Sequence, residues 1–199
     1  MSACTGGRAA LAKSGQTTVY VAGDDGDIQA GLALSFVDNG DGTVTDRNTG
    51  LMWEKKSDDG GLHDKDNSYV WNPGGGSMWA WLAQVNAEGG TGFAGHSDWR
   101  IPNVRELLSI VDYGRYNPAV DPVFNTACAP GCSVTTCSCS VAGGYWSCTP
   151  GAGGPAFAWG VGFGDGTTTA GTTSTARCSC ERCVAACDWS FDHLRDLII

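Results

Sequence analysis

The sequence predicts an α+β domain: strands near its start, two short helices in its middle and strands again toward its end, without regular strand–helix alternation. Three observations carry this reading. Residues 36–53 have the pattern of a β-meander, because Asn39-Gly40, Asp41-Gly42 and Asn48-Thr49-Gly50 supply the positive φ angles that tight hairpins need. The stretches starting at Ser77 and Asn103 place apolar side chains at helical spacing, and Gly144–Ser147 and Ala156–Phe163 alternate large and small residues as two strands do.

Residues 1–34, rich in Gly, Ser, Thr and Asp, read as an extended lead-in with one short strand near Thr17 to Val21, and the domain proper spans residues 35–177. After the meander, a polar loop carries Asp58, Asp59, His63, Asp64, Lys65 and Asp66 and leads to a short strand at Tyr69-Val70-Trp71. The first helix runs from a Ser77 cap to Ala87 with Met78, Trp81, Leu82 and Val85 on one face. The second follows Pro102. Asn103 caps it, Glu106 completes a capping box, and Val104, Leu107, Leu108 and Val111 line its apolar face. Asn117 to Ser140, with Pro118, Pro122 and Pro130 among cysteines, is an irregular loop, and Gly164-Asp165-Gly166 turns the chain toward a final strand.

At 199 residues the chain has the length of one ordinary domain. Thirty glycines, 17% charged residues and eight tryptophans describe a loop-rich fold organised around aromatic side chains. Trp53, Trp99 and Trp146 are assigned to the core, whereas Trp71, Trp79 and Trp159 are expected to be partly exposed. A net charge of −9 argues against nucleic acid and anionic membranes as partners. No segment is long and apolar enough to insert in a membrane, and residues 1–31 lack the apolar run of a signal peptide. Ten cysteines nevertheless point to an oxidising compartment. The expectation is a secreted or cell-surface protein whose export signal is missing from the sequence as written.

Cys128, Cys132, Cys137 and Cys139 follow a C-x₃-C-x₄-C-x-C spacing, read as two local disulfides stapling a loop, with three connectivities open and zinc as the alternative. That leaves Cys4 and Cys148 as thiols. The acidic groups Asp24, Asp25, Asp27 and Asp38, Asp41, Asp46 are read as turn chemistry, since Asp38-Asn39-Gly40-Asp41-Gly42 puts glycine where a calcium loop needs its second oxygen ligand. His63 with Asp64 and Asp66, and His96 with Asp98, have the composition of acid–base pairs, but lone surface histidines are commoner. No catalytic residue, metal site or cofactor is assigned, and no glycine motif joins a strand to a helix as phosphate binding requires.

Four stretches in order, residues 36–53, Asp98-Trp99-Arg100-Ile101-Pro102-Asn103, Tyr145-Trp146-Ser147 and Trp159–Gly166, resemble the Lcl C-terminal domain family, an adhesin-type bacterial module. The resemblance implies a C-type-lectin-like fold: two helices on a twisted antiparallel sheet whose first and last strands pair, with long loops. It also implies a non-catalytic, extracellular or cell-surface module for adhesion or ligand capture, its ligand a glycan or a protein. The binding surface would lie between about Tyr145 and Thr173, with Tyr145, Trp159, Phe163 and Asp165 as ligand-binding residues. Relatives on this frame supply two alternatives: an oxidase like the formylglycine-generating enzymes, which needs a reactive cysteine pair or thiolate-bound copper, and a binding protein diversified by a retroelement.

The chain departs from the family at its end. Cys148 stands where serine is usual, and the Val-Arg-x-Val-Arg-Gly-Gly type of last strand is replaced by Arg177-Cys178-Ser179-Cys180-Glu181-Arg182-Cys183-Val184-Ala185-Ala186-Cys187. Joining the third base of each codon to the first two of the next lets residues 180–186 spell Val-Arg-Ala-Val-Arg-Gly-Gly, and Asp192 become a stop. Residues 178–199 are therefore expected to be a cysteine-rich tail produced by a frameshift near residues 167–178, leaving the sheet without its closing strand and a neighbouring edge unpaired. Re-sequencing the gene across codons 160–199 should restore the shifted frame; an undisturbed frame refutes the frameshift.

Overall fold

The computed structural model describes residues 11–73, 75–154, 157–172 and 181–183, with Thr172 and residues 181–183 described by their backbone. The expected meander forms from β1 (Phe36–Asp38), β2 (Thr43–Asp46) and β3 (Leu51–Glu54), paired antiparallel in sequence order. Its turns use the predicted chemistry. Gly40 and Gly42 take φ of 77° and 99°, the Asp38 carboxylate accepts from the Gly40 N–H at 2.9 Å, and Asp41 accepts from the Thr43 N–H at 3.0 Å. Asp46 closes the second turn, accepting from the Asn48 N–H at 2.8 Å and the Thr49 hydroxyl at 2.7 Å. A Cβ at Gly42 would meet Phe93 Cζ at 3.0 Å and Val134 Cγ2 at 2.8 Å, so the first turn also packs tightly against two loops.

All four residues of β3 are buried. Leu51 and Trp53 enter one apolar cluster with Val44, Leu107, Ile110, Tyr145 and Phe163. Met52 enters a second with Met78, Trp81, Val85, Trp99 and Trp146. Side chains alternate across a strand, so Glu54 follows Met52 toward the second cluster.

The α+β class holds, with two corrections to the expected closure. The sheet does have a closing strand: β9 (Glu181–Cys183) pairs antiparallel with β3, Leu51 opposite Cys183 and Trp53 opposite Glu181. A ladder joins backbone groups whatever side chains they carry, so residues read as a tail can still cover this edge. The last described strand also pairs with β3 rather than with β1, giving the order β1-β2-β3-β9.

The helices begin where expected. α2 (Met78–Ala87) is capped by Ser77, whose hydroxyl accepts from the Ala80 N–H. α3 (Val104–Leu108) carries the full capping box: Asn103 accepts from Arg105 and Glu106, and the Glu106 carboxylate takes the Asn103 N–H at 2.8 Å. It stops short of Val111, which is buried but bridges Val120 instead. A second antiparallel meander follows, of β6 (Gly144–Pro150), β7 (Phe157–Gly162) and β8 (Thr167–Thr172). Tyr145 lies opposite Val161 in the first cluster. Trp146 lies opposite Gly160 in the second, and its ring covers Gly160 and Gly171. Between the two meanders, β4 (Asn125–Thr126) and β5 (Ser138–Cys139) make a two-residue ladder in the otherwise irregular cysteine loop.

Two expected strands do not form. Residues 17–21 are irregular, and the regular structure among the described residues of the lead-in is a one-turn helix, α1 (Asp25–Ile28), because the Asp24 side chain takes the N–H groups of Tyr20, Val21 and Asp27. Tyr69–Trp71 forms no strand: Tyr69 and Val70 are isolated bridge residues, Val70 pairing with Ser77.

The long loops are tied down by indoles. Trp81 donates to the Leu62 carbonyl, Trp146 to Tyr69, Trp71 to Ser147 and Trp99 to Phe93, all at 2.9–3.0 Å. Each ring thus buries apolar area and satisfies a backbone carbonyl. Trp53, Trp99 and Trp146 are core residues as read, and Trp159 is 36% exposed.

Candidate functional site

The four residues that the resemblance assigns to a ligand separate into two pairs. Tyr145 and Phe163 are each 1% exposed and stack on each other with ring centroids 4.3 Å apart. They are core residues, a correction to the expected site: Tyr145 lies opposite Val161, and both enter the first cluster with Leu107 of α3. Trp159 and Asp165 reach the surface. Trp159 stands two residues from Phe157, which is 38% exposed, and two from Val161, so both rings lie on the Val161 face of β7, beyond the part of that face that enters the first cluster. Ala170 lies opposite Trp159 and Thr168 opposite Val161 on β8, which pairs with β7 alone among the described residues. The result is an exposed aromatic strip beside a strand that has no second neighbour among the described residues.

Asp165 sits in the turn that joins these strands. Its carboxylate accepts from the Thr167 N–H at 3.0 Å, and hydrogen bonds from Thr167 hold it below the usual carboxylate range, so it stays charged. The same turn is braced by Tyr113, whose hydroxyl donates to the Gly166 carbonyl, and by the Asn117 N–H, which donates to Gly164. Next to Asn117 lies a shallow cleft of about 280 Å³ lined by Arg115, Tyr116, Pro118, Val120, Pro122 and Asn125.

A second constellation lies inside the molecule, and the sequence reading missed it. The Glu54 side chain is fully buried, with Lys56 Nζ at 2.8 Å and His63 Nδ1 at 2.7 Å. His63 Nε2 meets Glu88 Oε2 at 2.9 Å. The Lys56 ammonium lies 4.5 Å from the centre of a Trp81 ring, and the imidazole packs on Phe93 at 4.1 Å. Burial pushes the Glu54 carboxyl up, but the Lys56 charge and the His63 contact outweigh it and hold the pKa below its ordinary value. Burial likewise disfavours charge on His63, and Glu54 and Glu88 together reverse that and raise its pKa. With a carboxylate on each ring nitrogen, the protonated imidazole donates twice. No nitrogen is left to take a substrate's proton.

His63 therefore pairs with Glu54 and Glu88 rather than with Asp64 and Asp66, and it is 7% exposed rather than at the surface. Asp64 instead accepts the N–H groups of Gly60 and Asp66. Lys65 bridges Asp58 and Asp66 at 3.0 and 2.5 Å, and those two partners raise its pKa. His96 is half-buried and meets the edge of Trp99. The one sequence signal for the network was Glu54 ending an apolar strand in phase with Met52.

The cysteine loop carries disulfides Cys128–Cys139 and Cys132–Cys137, which resolves the open connectivity. Cys148 is half-buried against the second cluster.

The profile of the Lcl C-terminal domain family matches residues 42–185, from the first turn of the meander through β9. The chain belongs to this family. No curated protein and no solved structure matched. In this Lcl C-terminal domain the family region takes in β2 and β3 of the first meander, the whole of the second, the charge network, the cysteine loop and the aromatic strip, and it runs past residue 177 into the segment read as a tail. No helix among the described residues is long and apolar enough to cross a membrane.

The buried network makes stability depend on pH from both sides. The folded-state pKa of His63 lies above its unfolded value, so its contribution is complete below about pH 6.5 and is lost as pH rises through the folded value. Glu54 is depressed, so its contribution is complete above about pH 4.3 and is lost as pH falls through its folded value. Urea denaturation across this range should show a plateau falling away at both ends. His63→Ala should cost about 3 kcal/mol at the plateau by leaving Glu54 half-compensated, and should flatten the alkaline slope. An unchanged alkaline slope would contradict the assignment.

Proposed function

We propose that this domain is a non-catalytic binding module acting at the cell exterior, on a C-type-lectin-like frame, and that it captures a glycan or protein ligand on the strip formed by Phe157 and Trp159. The observation that carries the reading is the half-exposure of these two large rings on one face of β7, where a packed fold would ordinarily cover them. Membership of the Lcl C-terminal domain family, whose resemblance implies adhesion, supports it, as does a loop stapled by two disulfides, the chemistry of an oxidising compartment. The Asp165 carboxylate at the end of the strip adds a fixed acceptor for a hydroxyl or a cationic group. With a net charge of −9, neutral sugars and basic protein surfaces are favoured over polyanions.

An oxidase reading would require a reactive cysteine pair, and the four cysteines of the loop are joined in disulfides. The titratable cluster around His63 is internally compensated.

The test is an array of neutral glycans and extracellular matrix proteins probed with the intact chain and with Trp159→Ala. Wild type should bind a defined subset, and Trp159→Ala should lose at least about tenfold in affinity, the size of one lost stacking contact, while its thermal unfolding is unchanged. Equal binding by the variant, or no binding by the wild type, would overturn the proposal.

A further inference from the structure

The four cysteines of the loop form more than two separate staples. Cys139 is the hub: bonded to Cys128, its sulfur also lies 3.6 Å from Cys132 Sγ and 3.7 Å from Cys137 Sγ. The sulfurs of Cys128, Cys132 and Cys139 all fall within 4.8 Å of one another. Four thiolates around a tetrahedral zinc ion at about 2.3 Å lie about 3.8 Å apart, close to these non-bonded separations. The spacing has a local cause. Cys137 and Cys139 are two residues apart in extended chain and project to the same side, and the turn through Pro130-Gly131 brings Cys128 and Cys132 back over them.

The loop is also held in place by bonds that do not involve sulfur. Cys139 N–H donates to the Lys56 carbonyl at 2.9 Å, Asp58 N–H to Cys132 at 3.0 Å, Gly131 N–H to Asp58 at 2.5 Å and Cys137 N–H to Ser133 at 2.9 Å. The β4–β5 ladder adds the pairing of Asn125 with Cys139. Opening the disulfides therefore leaves the sulfurs gathered. Cys137 and Cys139 are 2% and 0% exposed and Cys128 is exposed, so an incoming ion meets a site with a closed floor and one open side.

We propose that Cys128, Cys132, Cys137 and Cys139, once reduced, form a tetrathiolate site for one Zn²⁺ ion, so that metal staples the loop under reducing conditions and disulfides staple it under oxidising ones. Each disulfide takes two electrons and two protons from one molecule of a dithiol reductant, which leaves as its own cyclic disulfide. The four resulting thiols then exchange four protons for the ion. Reoxidation withdraws the same four electrons to an oxidant of the disulfide class and expels zinc. The two states are mutually exclusive.

The test uses the full chain with Cys178, Cys180, Cys183 and Cys187 replaced by serine, which removes the competing cysteines of the C-terminal segment. Reduced with dithiothreitol and titrated with Co²⁺, this protein should show thiolate-to-cobalt charge transfer and tetrahedral d–d bands saturating at one equivalent. Zn²⁺ should displace the cobalt, and a disulfide oxidant should release the zinc to a chromogenic chelator. Adding Cys137→Ser and Cys139→Ser should abolish the bands. Should tryptophan fluorescence show that variant unfolded, Cys128→Ser, at the exposed ligand, should keep the fold and weaken cobalt binding at least about tenfold, the loss that even an outer-shell partner can cause. Absence of the bands from the reduced parent, their persistence without Cys137 and Cys139, or full affinity in Cys128→Ser would overturn the proposal.

Discussion

Strand β3 is covered on both faces, and this brings a carboxylate into the interior. Leu51 and Trp53 fill one apolar cluster while Met52 fills the other, so the next residue in phase with Met52, Glu54, has nowhere polar to go. An isolated carboxylate there would cost several kcal/mol. The surrounding chain responds with Lys56 from the same segment, His63 from the following loop and Glu88 from the end of α2. One buried charge thereby fixes the relation of the first sheet, the polar loop and the first long helix.

From that point the restraint passes along residues 54–58 into the cysteine loop. Lys56 supplies its ammonium to Glu54 and its carbonyl to Cys139, and Asp58 exchanges backbone bonds with Cys132 and Gly131. The indole donors of Trp81, Trp146 and Trp71 hold the rest of the loop against α2 and β6. Long irregular segments are thus kept in place by a few specific polar contacts on large rings, which suits a frame that must present loops without much regular structure. The exposed pair Phe157 and Trp159 stands apart from this pattern, outside both clusters, which is why the strip reads as a surface for something else.

What was legible in the sequence is what local chemistry specifies. The glycine turns at residues 40, 42 and 50, the Ser77 cap and the Asn103–Glu106 box each depend on residues within a few positions, and each is found in place. The misreadings are all non-local. Alternation in Tyr145-Trp146 identifies a strand but does not say which face is covered, and the resemblance that gives Tyr145 a ligand does not show that its ring is buried in the first cluster. His63 was matched to its sequence neighbours because Glu54 and Glu88 are remote in the chain. The closing strand was judged absent from its side chains, whereas the pairing of Glu181–Cys183 with Leu51–Trp53 is made by backbone groups. The disulfide connectivity likewise needed the fold of the whole loop.

The most direct test of this account is the titration of His63 by nitrogen NMR in the folded protein. A doubly engaged imidazolium predicts both ring nitrogens protonated at pH 6 and a midpoint above the ordinary value of about 6.5. A midpoint below that value, or a neutral imidazole with one bare nitrogen at pH 6, would mean that Glu54 is not compensated as described and that the interior charge does not organise the fold.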